Sequence, residues 1–336
     1  MLDSIVTNFT SAPLLFFILG FVAFLVKSDL RMPKGAGTFI VIFLMAAIGL
    51  KAGVEISKMP GGLIAVAPFA LKALVFGVLI VIMSFYIMSK WLRLDFQNSC
   101  ALAASFGAVS TATLLISISM LESLKIPYEA FMPALYPFMD SPAIIAALFV
   151  AKNSLNKKNK TQVNIISENG EASKTWGALI GESFTNSGVF VLLGCMIIGL
   201  ISGPAGLESE MNLFRTLFRG MLCLFLLDMG IVAASRIGEL RRVTPLIIPF
   251  AIFISVISGV ASVFAASWLG LSVGGAVVFA ALAAGASYVT VPAAMRVSMP
   301  EANPSLYIGT AIGVIFPWNV LFGLPLYLEL AQFLAR

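Results

Sequence analysis

Apolar runs of about 20 residues, each long enough to cross a bilayer as one helix, alternate with short polar turns along this chain. Five runs precede residue 151 (12–26, 36–53, 62–89, 98–121 and 130–151), and five follow residue 176 (177–202, 213–234, 244–269, 273–297 and 304–333). Between the two sets lies AKNSLNKKNKTQVNIISENGEASKTW, residues 151–176, polar and charged and the one long loop. The pattern predicts an all-α polytopic membrane protein of ten transmembrane helices. Its first five-helix half spans 1–151, a cytoplasmic linker 152–176, and a second five-helix half 177–336. No Lys or Arg precedes the first run and no small-residue cleavage site follows Val26. The run is therefore read as a retained helix rather than a signal peptide.

Polar positions interrupt the apolar pattern twice, at matching places. The first half carries GAVSTAT at 107–113 and YPFMDSP at 136–142; the second carries GASYVTVP at 285–292 and FPWNVLFG at 316–323. Gly107 and Gly285 stand 178 residues apart, Pro137 and Pro317 180 apart. A polar, helix-disrupting motif repeated in both halves of a hydrophobic chain marks a transporter built from repeats, with its site between them. IGLKAGVEISK at 48–58 also resembles MGIVAASRIGEL at 229–240, at an offset of 181.

Composition fixes the solvent. Hydrophobic residues make up 60% of the chain and charged residues 11%, where soluble domains carry roughly a quarter charged. The net charge of +5 then reads as loop-borne orientation signal rather than nucleic-acid binding. With the amino terminus outside, fourteen Lys and Arg fall on the cytoplasmic side and six outside. Both termini are then outside the cell membrane, and five spans before the linker insert the second half upside down. The repeats are predicted to be inverted. Histidine is absent, which excludes Ser-His and Cys-His nucleophiles and His proton relays. Cys100, Cys195 and Cys223 lie inside apolar runs without CxxC spacing, so no disulfide framework or zinc site is expected, and no cofactor.

Broken helix at membrane depth is tolerated only where it lines a cavity or is packed in protein. Gly107, Ser110, Thr111 and Thr113 can open a helix and offer hydroxyls and freed N–H groups; Gly285, Ser287 and Thr290, before Pro292, offer the same from the other half. Half-helix amino ends suit a small anion. Small residues also simply permit close helix packing, and the pairing of the two copies favours a substrate site.

Ionisable groups at depth are costly and usually functional. Asp140, between Pro137 and Pro142, is a candidate sodium ligand or a cap at a proline break; Asn319 is its neutral counterpart. Asp228 is either a second cation ligand or a partner for a basic side chain such as Lys72, which can equally snorkel to the surface. An intramembrane aspartyl hydrolase using Asp140 and Asp228 is a remote alternative, disfavoured because neither lies in a GxGD-type motif.

GAVSTAT, KIPYEAF, ALYPFMDSPA and LNKK in the first half, with LFRG, SRIGELRRV, EANPSLYIG and PLYLELA in the second, resemble the cyanobacterial sodium-dependent bicarbonate permease family over nearly the whole length. The resemblance implies ten helices in inverted five-helix repeats, with gate and elevator-like core domains, in a homotrimer. It implies bicarbonate–sodium symport, with the anion held by 107–113 and 285–292 and sodium nearby. It also implies inhibition by a PII-like protein at the cytoplasmic face. Basic residues there (Arg31, Arg236 and Arg241 among them) suit an acidic partner or anionic lipid alike. Where the family carries an acid in an SSSDIS-like run, this chain has Tyr288. A transporter of another small anion or short carboxylate on the same scaffold is the nearest alternative.

Overall fold

Because hydrocarbon offers backbone groups no partner, apolar runs satisfy their N–H and C=O groups internally as helices. The computed structural model describes residues 11–33, 35–140, 142–143, 187–243, 246–299 and 301–336. Most of the fifth span, the central linker and the start of the sixth span lie outside the described residues.

The helices are α1 (Ala12–Leu25, with Pro13 in its first turn), α2 (Ala36–Ser57), α3 (Ala67–Lys90), α4 (Phe96–Gly107) and α5 (Thr111–Ser123). After the central loop come α6 (Ser187–Gly206), α7 (Glu208–Val243), α8 (Ile247–Trp268), α9 (Val273–Ala284), α10 (Thr290–Ser298) and α11 (Pro304–Leu334). Residues 136–140 form a further helical segment, entered through a 3-10 turn at Met132–Leu135. Among the described residues, seven continuous or nearly continuous helices are long and apolar enough to cross a membrane, and α1 and α9 are shorter apolar helices.

Two of the ten expected spans differ from the simple pattern. Run 98–121 is two helices, α4 and α5, and run 273–297 is α9 and α10, each pair separated by a few extended residues. Hydropathy averages over such a gap because it is only a few residues long between two apolar helices. Near its centre α11 keeps its course through two π turns, Ala311–Ile315 and Asn319–Gly323, on either side of Pro317. A proline ring displaces the carbonyl of the preceding turn, and a π turn relieves that clash.

The helices sort into two groups. In the first, α1 lies along α7 and α2 along α6, with α2 also touching α7. These pairs meet backbone to backbone through glycines, as small residues allow in membranes: Gly53 faces the Met196 carbonyl, Gly199 the Leu50 carbonyl, Gly20 the Leu227 carbonyl and Gly230 the Phe17 carbonyl. In the second group α3 packs on α4 and α8 on α9, and α9 also packs on α5 and α11. Every pairing within the first group joins a helix from before the linker to one from after it. At the boundary between groups, the Phe17 ring stands edge-on to Phe316 at 5.6 Å. The broken α4–α5 unit is the most enclosed part, with 94% of its apolar stretch buried against 28% for α6, so the interruptions sit inside protein rather than facing lipid.

Candidate functional site at the two helix breaks

Asp95 caps α4, its Oδ1 accepting from the Asn98 amide at 2.9 Å. The helix ends at Gly107, Ala108 is extended (φ −90°, ψ 153°), and Ser110 restarts the chain as the N-cap of α5. The Ser110 hydroxyl accepts from the Thr113 amide at 3.3 Å, supplying one of the partners a helix start otherwise lacks. In the second copy α9 ends at Ala284, Gly285 is extended, and α10 begins at Thr290.

The two breaks touch. The Ser287 amide donates to the Ser105 carbonyl at 2.8 Å, and the Ser105 hydroxyl donates to the Ser287 carbonyl at 2.8 Å. A Cβ on Gly285 would stand 2.9 Å from Ser110 Cβ and 3.1 Å from the Ser110 nitrogen, so a residue without one is required there. Because α5 packs on α9 and α4 on α10, the two broken helices lie antiparallel with their gaps side by side.

Asp140 joins the gaps. It is fully buried, and its Oδ1 accepts from the Val109 amide at 3.0 Å and from the Thr290 hydroxyl at 3.3 Å. One carboxylate oxygen thus holds an element of each half. Oδ2 is buried without a hydrogen-bond partner, as is the hydroxyl of Thr113. The Ser287 and Thr290 hydroxyls are 2.7 Å apart, and Thr111 Oγ1 pairs with the Tyr136 hydroxyl at 3.0 Å. An unpaired buried carboxylate oxygen is expensive, and an oxygen ligand with no proton donor opposite it is suited to a hard cation. Beside it, the first turns of α5 and α10 present amides and hydroxyls suited to a small anion.

Of the residues expected from sequence, the structure brings Ser110, Thr111, Thr113, Gly285, Ser287, Thr290 and Asp140 to these adjoining gaps. Gly107 is there as a packing residue, pressed against Val81 and Ala143. Asn319 does not join them. Its Nδ2 donates to the Ala284 carbonyl at 2.8 Å and to Ser255 Oγ at 3.1 Å, while its Oδ1 accepts from the Tyr327 hydroxyl at 3.4 Å. Its polar atoms are engaged in tying the end of α9 to α8 and α11.

Asp228 lies elsewhere again, half-buried on α7 in the first helix group. Its Oδ2 comes within 3.2 Å of the place a Gly37 Cβ would occupy, in the first turn of α2, where the positive helix end favours a carboxylate. Lys72 is exposed with its Nζ over the Phe69 ring at 5.5 Å, and no ion pair joins it to Asp228 among the described residues. Asp140 and Asp228 share no hydrogen-bond partner there either, so no proton-sharing carboxylate pair is formed. Tyr288 turns toward the first group, its hydroxyl donating to Met229 Sδ at 3.5 Å.

Ser105 and Tyr136 are contributors to the gaps that the sequence alone does not single out, while Ser255 and Tyr327 serve Asn319 away from them. Ser105 precedes Gly107 by two residues within an unbroken helical pattern, and only its position opposite the second gap reveals it. Tyr136 opens the YPFMDSP motif, which was the available signal.

The family model described as the Na+-dependent bicarbonate transporter superfamily matches residues 12–332, nearly the whole chain. No protein of curated function matches the chain closely enough to be called a relative.

Proposed function

Because the chain belongs to the Na+-dependent bicarbonate transporter superfamily, a transporter family and not an enzyme family, we propose that it imports bicarbonate in symport with sodium by alternating access. The observation that carries this reading is Asp140, whose one oxygen links Val109 of the first break to Thr290 of the second while the other is unpartnered. Sodium is assigned to Asp140 Oδ2, within the setting of the Thr113 and Thr290 hydroxyls. Bicarbonate is assigned to the gap amides together with Ser110, Thr111 and Ser287. A bare carboxylate beside an anion site repels the anion, and a cation on it removes that repulsion. Sodium and bicarbonate then favour each other's binding, and the loaded site moves.

The exchange of partners in the first helix group, α1 with α7 and α2 with α6, supports two inverted halves related by a pseudo-two-fold axis. The charge bias supports outside termini and a cytoplasmic linker in the cell membrane. An elevator-like core in a homotrimer, and a PII-like inhibitor at the cytoplasmic face, complete the proposal on the resemblance alone.

The test is uptake of labelled bicarbonate into proteoliposomes with and without a sodium gradient, beside a panel of short carboxylates and other small anions. Sodium-driven bicarbonate uptake, lost in Ser110→Ala/Thr111→Ala, is expected. A folded double variant that transports normally removes the assignment, and preferential uptake of a carboxylate moves the substrate to the alternative on the same scaffold.

A further inference from the structure

The helix breaks lie near one end of the first helix group. From Thr111 to Glu122, α5 rises about 17 Å, and from Gly37 to Lys51, α2 rises about 21 Å. Glu122 and Lys51 are in contact, so a parallel course of the two helices would set the breaks level with the first turn of α2. Tyr288, in the second break, reaches Met229, the neighbour of Asp228, which itself faces Gly37, and so places the second break toward the Gly37 end.

At the opposite end, among the described residues, Lys51 makes polar contacts that join the two groups. Lys51 Nζ, on α2, lies 2.6 Å from Glu122 Oε1 at the end of α5 and donates to the Tyr128 hydroxyl at 3.2 Å. The same ammonium is 5.1 Å from the Tyr128 ring centroid, and it sits near the carbonyl end of α5, where a cation is favoured. Beside it a cavity of about 500 Å³ opens, lined by Lys51, Glu55, Glu122 and Tyr128 among others.

We propose that Lys51, Glu122 and Tyr128 form a latch between the two helix groups, closing the Lys51 end while the breaks are held at the Gly37 end. Exposure of the breaks to the Lys51 side requires the core to slide or tilt, and that movement pulls Glu122 away from Lys51. An ion pair with side chains about one-third exposed (33% and 38%) is weak. That suits a contact that must open in each cycle, because a stronger one would trap the transporter in one state.

The latch rests on the alternating-access reading, and its test needs neither bicarbonate nor sodium transport. Cysteine is placed at position 111 (Thr111→Cys) and labelled in membranes with an impermeant thiol reagent, added from the face at which Lys58→Cys reacts. Labelling at the site is read by peptide mass spectrometry, which distinguishes it from the native cysteines. Lys51→Met and Glu122→Gln are expected to raise the labelling rate about two- to five-fold, the shift an exposed ion pair supports. The exchange variant Lys51→Glu/Glu122→Lys returns it toward the starting rate. Equal rates in all variants, no labelling in any, or failure of the exchange to restore the rate overturns the latch. Absence of bicarbonate uptake in the native protein counts against the substrate instead and leaves the labelling result standing.

Discussion

Ser105 and Ser287, one from each half of the chain, hold one another by two hydrogen bonds of 2.8 Å, one from a main-chain amide and one from a hydroxyl. The two interruptions are therefore parts of one structure, and a ligand that enters one meets the other. Gly285 seated on Ser110 and Asp140 reaching Val109 and Thr290 complete the joint.

Gly285→Ala drives a methyl group into Ser110 where no flexible side chain can give way. Overpacking of this kind costs about 1–3 kcal/mol. The variant is expected to melt several degrees lower in detergent and to lose uptake, with scanning fluorimetry and the proteoliposome assay as the two readouts. Native melting with native uptake would show that the breaks are not in contact.

Asp140→Asn keeps the shape of the side chain and removes the charge. Sodium should raise the melting temperature of the native protein by mass action, the stabilisation growing as RT ln(1 + [Na]/Kd). That rise should vanish in the variant, along with sodium-driven uptake. A full sodium-induced shift in Asp140→Asn would place the cation elsewhere.

Asn319→Leu removes the amide bonds to the Ala284 carbonyl and Ser255, while Ser255 still donates to Ala284 and Tyr327 to the Ser255 carbonyl, so the loss is about 1–2 kcal/mol. Because the amide of Asn319 is engaged with Ala284 and Ser255, the sodium-induced shift is expected to persist on a lower baseline. Selective loss of the shift with unchanged baseline stability would return Asn319 to the cation site.

Tyr136→Phe removes only the hydroxyl that holds Thr111. Half-saturation for bicarbonate should rise about three- to ten-fold, in keeping with one hydrogen bond of about 1 kcal/mol, while the sodium shift stays intact. An unaltered half-saturation value would show that Thr111 does not need this partner.

Much of this could be read from the chain because membrane burial ties sequence to structure tightly. Gly107 to Thr113 and Gly285 to Thr290 declared themselves by being small and hydroxylated inside apolar runs, and the gaps lie there. Asp140 declared itself by being an acid at depth. Depth, however, was poorly legible for Asp228: α7 is 36 residues long, about 54 Å, well beyond the roughly 30 Å of hydrocarbon. A central position in the apolar stretch still allows the side chain to sit beside the first turn of α2. Asn319 was ambiguous for a different reason, since an amide two residues after a proline looks the same in sequence whether it binds an ion or ties a helix end. Ser105 was silent because its partner is 182 residues away.

Where α2 meets α6 at Gly53 and Gly199, and α1 meets α7 at Gly20 and Gly230, main chain rests on main chain. A Cβ added at any of these four glycines would run into the facing main chain, so each pair is seated as closely as two helices can be. The boundary with the other helices has no such teeth at Phe17 and Phe316, where flat rings meet edge to face and any small shift trades one van der Waals contact for a similar one. Under the proposed alternating access these glycine-backed pairs would each move or stay as a unit, so a side chain added at Gly53 or Gly230 is expected to impair folding, whereas a change of ring at Phe17 or Phe316 is expected to alter the transport rate first.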